Sequence, residues 1–303
     1  MADGVTLATG PVSWGVDFAD SPGNPPWEQV LDDIERSGIG ALELGPTGYL
    51  PENRETLREV LSSRRLIAVG SFLFDDLHDP QRREAILADA ERTCRVIAAA
   101  DGGVLVVIDR PGDERAATAG RPAAARRLDD GEWRAMLESI RRVADIAARH
   151  DLLAVFHPHA GSYVEFEDEV ERLLSDCELP LCLDTGHAAY ASIQPEHALD
   201  RYAERIAHIH LKDVDERVLA RVTGTELGFW DAIEAGVFCP LGTGVVDLPA
   251  VGQALRRIGF RGAATIEQDR VPGSGAPLDD LRAGLAAVRG AGLGPAPRPR
   301  IGR

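Results

Sequence analysis

Short runs of β-branched and aliphatic residues alternate along the chain with longer stretches whose apolar residues recur every three or four positions. The short runs, at residues 6–10, 40–44, 66–71, 103–108, 152–157, 181–184, 206–211 and 263–267, have the length of buried strands. The stretches at 27–37, 53–63, 80–100, 130–150, 165–175, 195–205, 248–258 and 278–289 read as amphipathic helices. In one of them Trp133, Met136, Leu137, Ile140, Val143 and Ile146 share a face. Asp130 and Asp247 stand where N-caps belong, and Gly259 sits just past a helix end. The pattern predicts eight strands, each followed by a helix.

Such alternation implies parallel strands joined by right-handed crossovers. Eight units in one α/β domain at residues 1–290 fit a closed (β/α)8 TIM barrel better than an open doubly wound sheet. A dinucleotide-binding sheet would want GxGxxG after its first strand, and residues 10–15 read GPVSWG instead. After strand seven, residues 213–247 make an excursion too long for a simple connection; with Phe229, Trp230 and Phe238 in it, it is expected to form a lid or a subunit contact. The Pro- and Arg-rich tail at 291–303 is expected to fray.

Composition narrows the function classes. The formal charge of −16 over 303 residues disfavours phosphate backbones and anionic membrane surfaces as partners. No apolar run is long enough to span a bilayer, and the first ten residues lack the regions of a signal peptide. Four cysteines without CxxC spacing suggest reduced thiols and a cytoplasmic setting. Of 33 basic residues a single one, Lys212, is lysine. In a chain that otherwise uses guanidinium, a compact and tunable ammonium draws notice.

A TIM barrel builds its site at the C-terminal ends of its strands. Strand five ends in His157-Pro158-His159, strand six in Asp184-Thr185-Gly186-His187, and strand seven in His208-Ile209-His210 with Lys212 following; strand eight ends in Glu267-Gln268-Asp269. Period-two alternation points His157 and His159 the same way, and likewise His208 and His210. His157, Asp184, His210 and Glu267 thus offer two imidazoles and two carboxylates from consecutive strands. That mixed set suits Mn²⁺ or Co²⁺, and also Zn²⁺ or Fe²⁺, with no organic cofactor implied. Glu43 at the end of strand two can hold a hydroxyl, and Trp14 can wall the pocket. The Gly-rich turns at 242–244 and 273–275 look like phosphate loops but match no Walker pattern. His78, His150 and His197 are scattered and read as ordinary helix-end or surface residues. Nothing resembles a nucleophile elbow.

The segments GPVSWG (10–15), FHPHAG (156–161), LDTGH (183–187), HIHLKDV (208–214) and IEQD (266–269) resemble inosose dehydratases. These belong to the sugar isomerase/epimerase-like barrel superfamily, and the likeness runs from about residue 9 to residue 290. It implies a divalent metal on Asp184, His210 and Glu267, with His157 at the strand-five position. It also implies a ring ketone contacted by His159, His187 and Lys212. Two positions depart from the pattern: Pro158 interrupts a row of three histidines, and Thr265 stands where an additional acid is usual.

The activity so implied is a β-elimination, the loss of water from a cyclic polyol ketone such as 2-keto-myo-inositol through a metal-stabilised enediolate. The proton α to the ketone needs a base and the departing hydroxyl an acid. His159 and Lys212 are the candidates, with Glu43, His187 and Trp14 holding substrate and Asp213 anchoring Lys212. An epimerase or isomerase would share the metal and return the proton; a 3-keto-glycoside lyase would expel an aglycone; a non-catalytic sugar-binding barrel would turn nothing over. A nuclease would need a basic groove that this charge does not provide. A homo-oligomer is compatible with the sequence, which does not demand one.

Overall fold

The computed structural model describes residues 4–293. Among them are the strands β1 (Val5–Thr9), β2 (Ala41–Glu43), β3 (Ile67–Asp75), β4 (Val104–Asp109), β5 (Leu153–Phe156), β6 (Leu181–Asp184), β7 (Ile206–Leu211), β8 (Asp213–Val214), β9 (Phe238–Cys239) and β10 (Gly262–Ile266). The helices are α1 (Trp27–Ser37), α2 (Arg54–Ser63), α3 (Arg83–Ala99), α4 (Asp113–Ala116), α5 (Asp130–Arg149) and α6 (Glu167–Asp176). They continue with α7 (Thr185–Tyr190), α8 (Pro195–Arg201), α9 (Glu216–Thr225), α10 (Phe229–Glu234), α11 (Leu248–Arg257) and α12 (Pro277–Gly290).

Eight parallel strands close in the order β1-β10-β7-β6-β5-β4-β3-β2, so the expected barrel forms. Its main core lies between the outer strand faces and the helices. There α5 buries Met136, Ile140 and Val143 completely. A smaller cluster of Val106, Ile108, Val155 and Cys182 fills the barrel interior. Asp129, one residue ahead of the expected Asp130, caps α5, and Glu132 reciprocates by accepting the Asp129 N–H. Asp247 caps α11 through the N–H of Ala250. The predicted helix at 195–205 stops at Arg201 and finishes in a tight turn at Ala203–Arg205.

The excursion after β7 carries its own structure. β8 and β9 pair antiparallel, with α9 and α10 between them. Phe229, Ile233, Val222 and Phe238 pack there with Tyr190 of α7 in a separate apolar cluster. β8, β9 and α10 are too short for periodicity to reveal, and α9 buries only Val222, so its apolar face is weak. The tail predicted to fray lies, from residue 294 onward, outside the described residues. Among the described residues no helix is long and apolar enough to cross a membrane.

One buried ion network ties the wall of the barrel mouth together. Arg115 of α4 is completely enclosed, and its Nη1 donates to Glu169 Oε1 at 2.9 Å and to the Arg126 carbonyl at 2.8 Å. Its Nη2 lies 3.2 Å from both Glu165 Oε2 and Glu169 Oε2. The guanidinium also faces the rings of Tyr163 and Phe166. The network fastens the segment between β5 and α6, which carries His157 and His159, to the one after β4. Truncation of Arg115 strands buried carboxylates, so Arg115→Ala should cost about 3–5 kcal/mol in denaturant unfolding. A loss below about 1 kcal/mol would show that the network holds nothing.

Candidate active site

The segment 183–187 builds one corner of the site. Asp184 ends β6 and caps α7: its Oδ1 accepts the N–H groups of Gly186 (2.7 Å) and His187 (2.8 Å). That clamp leaves Oδ2 buried and without a hydrogen-bond partner. Thr185 and Lys212 exchange bonds, the hydroxyl donating to the Lys212 carbonyl at 2.7 Å and accepting its N–H at 2.9 Å. Gly186 is needed for space, because a Cβ there would stand 2.6 Å from Lys212 Cγ.

Deeper in the barrel, Glu43 Oε1 accepts from His208 Nε2 (2.8 Å), His210 Nε2 (2.9 Å) and the Thr265 hydroxyl (2.6 Å). Burial would raise this carboxyl, but His210 and His208 outweigh it and hold the pKa well below the usual carboxylate range. With Nε2–H engaged, Nδ1 of His210 faces Glu267 Oε2 at 3.2 Å and Asp184 Oδ2 at 3.7 Å. His157 Nε2 lies 3.7 Å from the same Asp184 oxygen. His157, Asp184 and His210 offer converging donor atoms, as do Glu43, His210 and Glu267. Asp184 Oδ2 and His210 Nδ1 are both buried without a hydrogen-bond partner, which suits the group to a divalent cation.

Lys212 crosses the floor. Its Nζ lies 2.7 Å from Asp269 Oδ1, 3.2 Å from Asp184 Oδ2 and 3.3 Å from Glu267 Oε2. Burial opposes the charge, yet the three carboxylates keep its pKa well above the ordinary lysine value. His187 accepts the Ala160 N–H at Nδ1 (3.1 Å), which leaves Nε2–H toward Asp269 Oδ2 at 3.4 Å. Its ring lies 3.9 Å from that of His159. His159 donates from Nδ1 to the Ala160 carbonyl at 2.9 Å, leaving Nε2 as a lone pair. Burial pushes the His159 pKa down to about 4.

Above this floor opens a cleft of about 490 Å³, mouth included, onto which His157, His159, His210, Lys212, Glu267 and Asp269 all face. Trp14, expected on its wall, is not there. The tight turn at Pro11–Trp14 sends the indole into the core, with Nε1 3.4 Å from Asp33. Glu43 and His187 stand behind the floor. Pro158 borders a separate small pocket beside Ala198 and Tyr202. Asp213 turns away from Lys212, and its carboxylate accepts the N–H groups of Val214, Gly242, Gly244 and Val246, each at 2.9 Å. An internal carboxylate thus fills the 242–244 turn, whose shape suggested a phosphate site.

Residues 31–290 match the family described as xylose isomerase-like TIM barrel. The chain belongs to that family. Curated relatives include the inosose dehydratase of Geobacillus thermodenitrificans, 26% identical over 91% of this chain and 93% of the relative. The rhizopine catabolism protein MocC of Rhizobium meliloti is 30% identical over 92% of this chain and 86% of its own. Among solved structures, the 3-keto-D-glucoside 4-epimerase YcjR of E. coli superimposes with a TM-score of 0.69 at 18% identity, over 94% of this chain and 99% of its own. IolI, solved with a zinc atom, reaches 0.69 at 13% identity over 94% of this chain and 97% of its own. At those identities the two structures share the barrel with this family member.

Sequence reading missed Asp17. This partly buried residue lies in the loop after β1, faces the cleft and makes no hydrogen bond through its carboxylate. Burial, followed by the charge of Asp269, raises its pKa to about 7 against the pull of Lys212. No motif distinguishes it from neighbouring Asp20; only closure of β1 against β10 brings it over the floor. Because the folded-state pKa lies above the unfolded value, its contribution to stability is complete below about pH 4 and is lost as pH rises through 7. Asp17→Asn should therefore gain on the wild type by about 2 kcal/mol between pH 5 and pH 8 in metal-free unfolding experiments. Parallel stability curves for the two proteins would contradict the assignment.

Proposed function

We propose that this enzyme is a divalent-metal-dependent hydro-lyase removing water from a cyclic polyol ketone such as 2-keto-myo-inositol. The observation that carries the reading is the cleft floor. There Asp184 Oδ2 and His210 Nδ1, neither of them hydrogen-bonded, stand beside a charged lysine and the His159 lone pair. The inosose dehydratases among its relatives support the same reading.

His157, Asp184, His210 and Glu267 would hold the metal, with Mn²⁺ or Co²⁺ the expected ion. Bound there, a divalent cation supplies Lewis-acid polarisation of the ketone and its neighbouring oxygen. Glu43 acts through His210: by accepting the Nε2–H hydrogen bond it would leave Nδ1 for the metal. Thr265 belongs to that arrangement, since an acid here would face the Glu43 carboxylate, whereas a hydroxyl donates to it.

His159 Nε2 would receive the proton α to the ketone. Its other nitrogen is tied to a carbonyl, so the lone pair needs no rearrangement. Lys212, held charged by three carboxylates, donates a hydrogen bond to a substrate oxygen and stabilises negative charge as it develops. The His187 ring lies against that of His159, and its Nε2–H shares the Asp269 carboxylate with Lys212. Asp17, facing the same cleft, is a second source of a proton for the departing hydroxyl.

Mass spectrometry of 2-keto-myo-inositol incubated in D₂O with Mn²⁺- or Co²⁺-loaded protein tests the reading. Metal-dependent loss of one water is expected, abolished by chelator. Deuterium uptake without water loss would replace the lyase by an epimerase or isomerase. His210→Ala should abolish both metal retention and turnover. Glu43→Gln, which removes the charge that orients His210, should weaken metal binding about 10–100-fold in equilibrium dialysis. Unchanged affinity in Glu43→Gln would remove Glu43 from the metal's support.

A further inference from the structure

We infer that the outer half of the cleft is a subsite for an apolar substituent on the substrate ring. On this inference, which rests on the reading of the floor given above, the preferred ligand is a cyclic polyol ketone bearing an O-aryl or O-alkyl group.

The cleft has two chemically distinct halves. Its floor is imidazole, ammonium and carboxylate, while its upper wall includes Phe72, Phe74 and Ile108 from the barrel and Phe229, Trp230 and Ile233 from α10. The aromatic residues form two tiers. In the inner tier, the rings of Phe74 and Phe229 lie 5.7 and 5.2 Å from His159 and flank any ring seated on the floor. The outer tier is Trp230 on the cleft wall, with Phe18 packed beside it at the rim. Phe18 stands 5.8 Å from Phe74 and 6.5 Å from Trp230, and Trp230 stands 5.2 Å from Phe229.

A bare polyol accounts for the inner tier, whose faces can cover ring C–H groups. It leaves the outer tier without a function. Phe18 and Trp230 are 39% and 38% exposed, a large apolar surface open to water at the mouth of a polar site. A hydroxyl pointed into this tier would lose water and find no donor or acceptor among the aromatic rings. A substituent on the carbon opposite the ketone would leave the floor through the mouth and lie against Trp230 and Phe18, whose rings are in contact at 6.5 Å. The two residues come from the loop after β1 and from the excursion, so the subsite exists only because the excursion folds over the barrel mouth. Continuity of the aromatic wall with the catalytic floor selects this occupant over a separate partner molecule.

The test pairs 2-keto-myo-inositol with its 5-O-benzyl ether on the metal-loaded enzyme. It also pairs myo-inositol with 5-O-benzyl-myo-inositol as non-reacting ligands in calorimetry. The benzyl compounds are expected to show kcat/KM higher, and Kd lower, by about tenfold or more, the scale of burying part of a phenyl ring. Trp230→Ala and Phe18→Ala should each bring both ratios toward one. Equal constants for the members of each pair, with water lost from both ketones, would overturn the subsite and leave the lyase reading intact. Tighter binding of the benzyl ligand with no turnover of either ketone would keep the subsite and overturn the lyase reading.

Discussion

A carboxylate enclosed in the middle of a barrel needs donors, and Glu43 takes three on a single oxygen while its Oε2 accepts none. His208, His210 and Thr265 come from β7 and β10, while Glu43 ends β2 across the barrel. The ring of strands must close for these groups to meet, and once they meet Nε2 of His210 is tied to Glu43. From there the remaining polar order follows. Nδ1 of His210 faces Asp184 and Glu267, and those two carboxylates with Asp269 hold Lys212 as a cation. Each buried charge is stabilised by one of opposite sign or by a hydrogen bond, as a low-dielectric interior demands.

The geometry also explains how one lysine serves a chain rich in arginine. Three carboxylates and an imidazole leave room for a point-like ammonium on a thin stem, passing where Gly186 has no side chain. A planar guanidinium would not fit the same opening. Arginine is used in the second buried network. There the fork of Arg115 reaches two glutamates and a carbonyl at once, and its function is to fasten the loops around the site.

The excursion after β7 converts a barrel rim into an enclosed site. Its Phe238 ring lies 5.1 Å from that of His187, and its Phe229 lies 5.2 Å from His159, so it shields the floor from water while leaving a mouth. Asp213, at the start of the excursion, binds four backbone N–H groups across its base and fixes how it leaves the barrel. Shielding strengthens the electrostatic interactions beneath it, and the aromatic residues that provide it also shape what the cleft can hold.

Periodicity and strand-end chemistry were legible from the amino-acid order alone. Eight strand–helix units imply a parallel barrel, a barrel places its chemistry at strand ends, and there His157, His159, Asp184, His210, Lys212 and Glu267 were visible as a group. These are local properties: each residue's position along its own strand decides which way it points. Trp14, Glu43, Asp213 and Asp17 were not legible in the same way, because their surroundings are assembled from residues far apart in the chain. Trp14 turns into the core because of a tight turn after β1, and Asp213 serves a loop some thirty residues on. Asp17 acquires its environment from the other end of the sequence, and the aromatic collar joins three separate elements. Strand order and residue type settled what chemistry is available; closure of the barrel and the fold of the excursion decided which groups meet, because desolvation and charge pairing depend on neighbours in space.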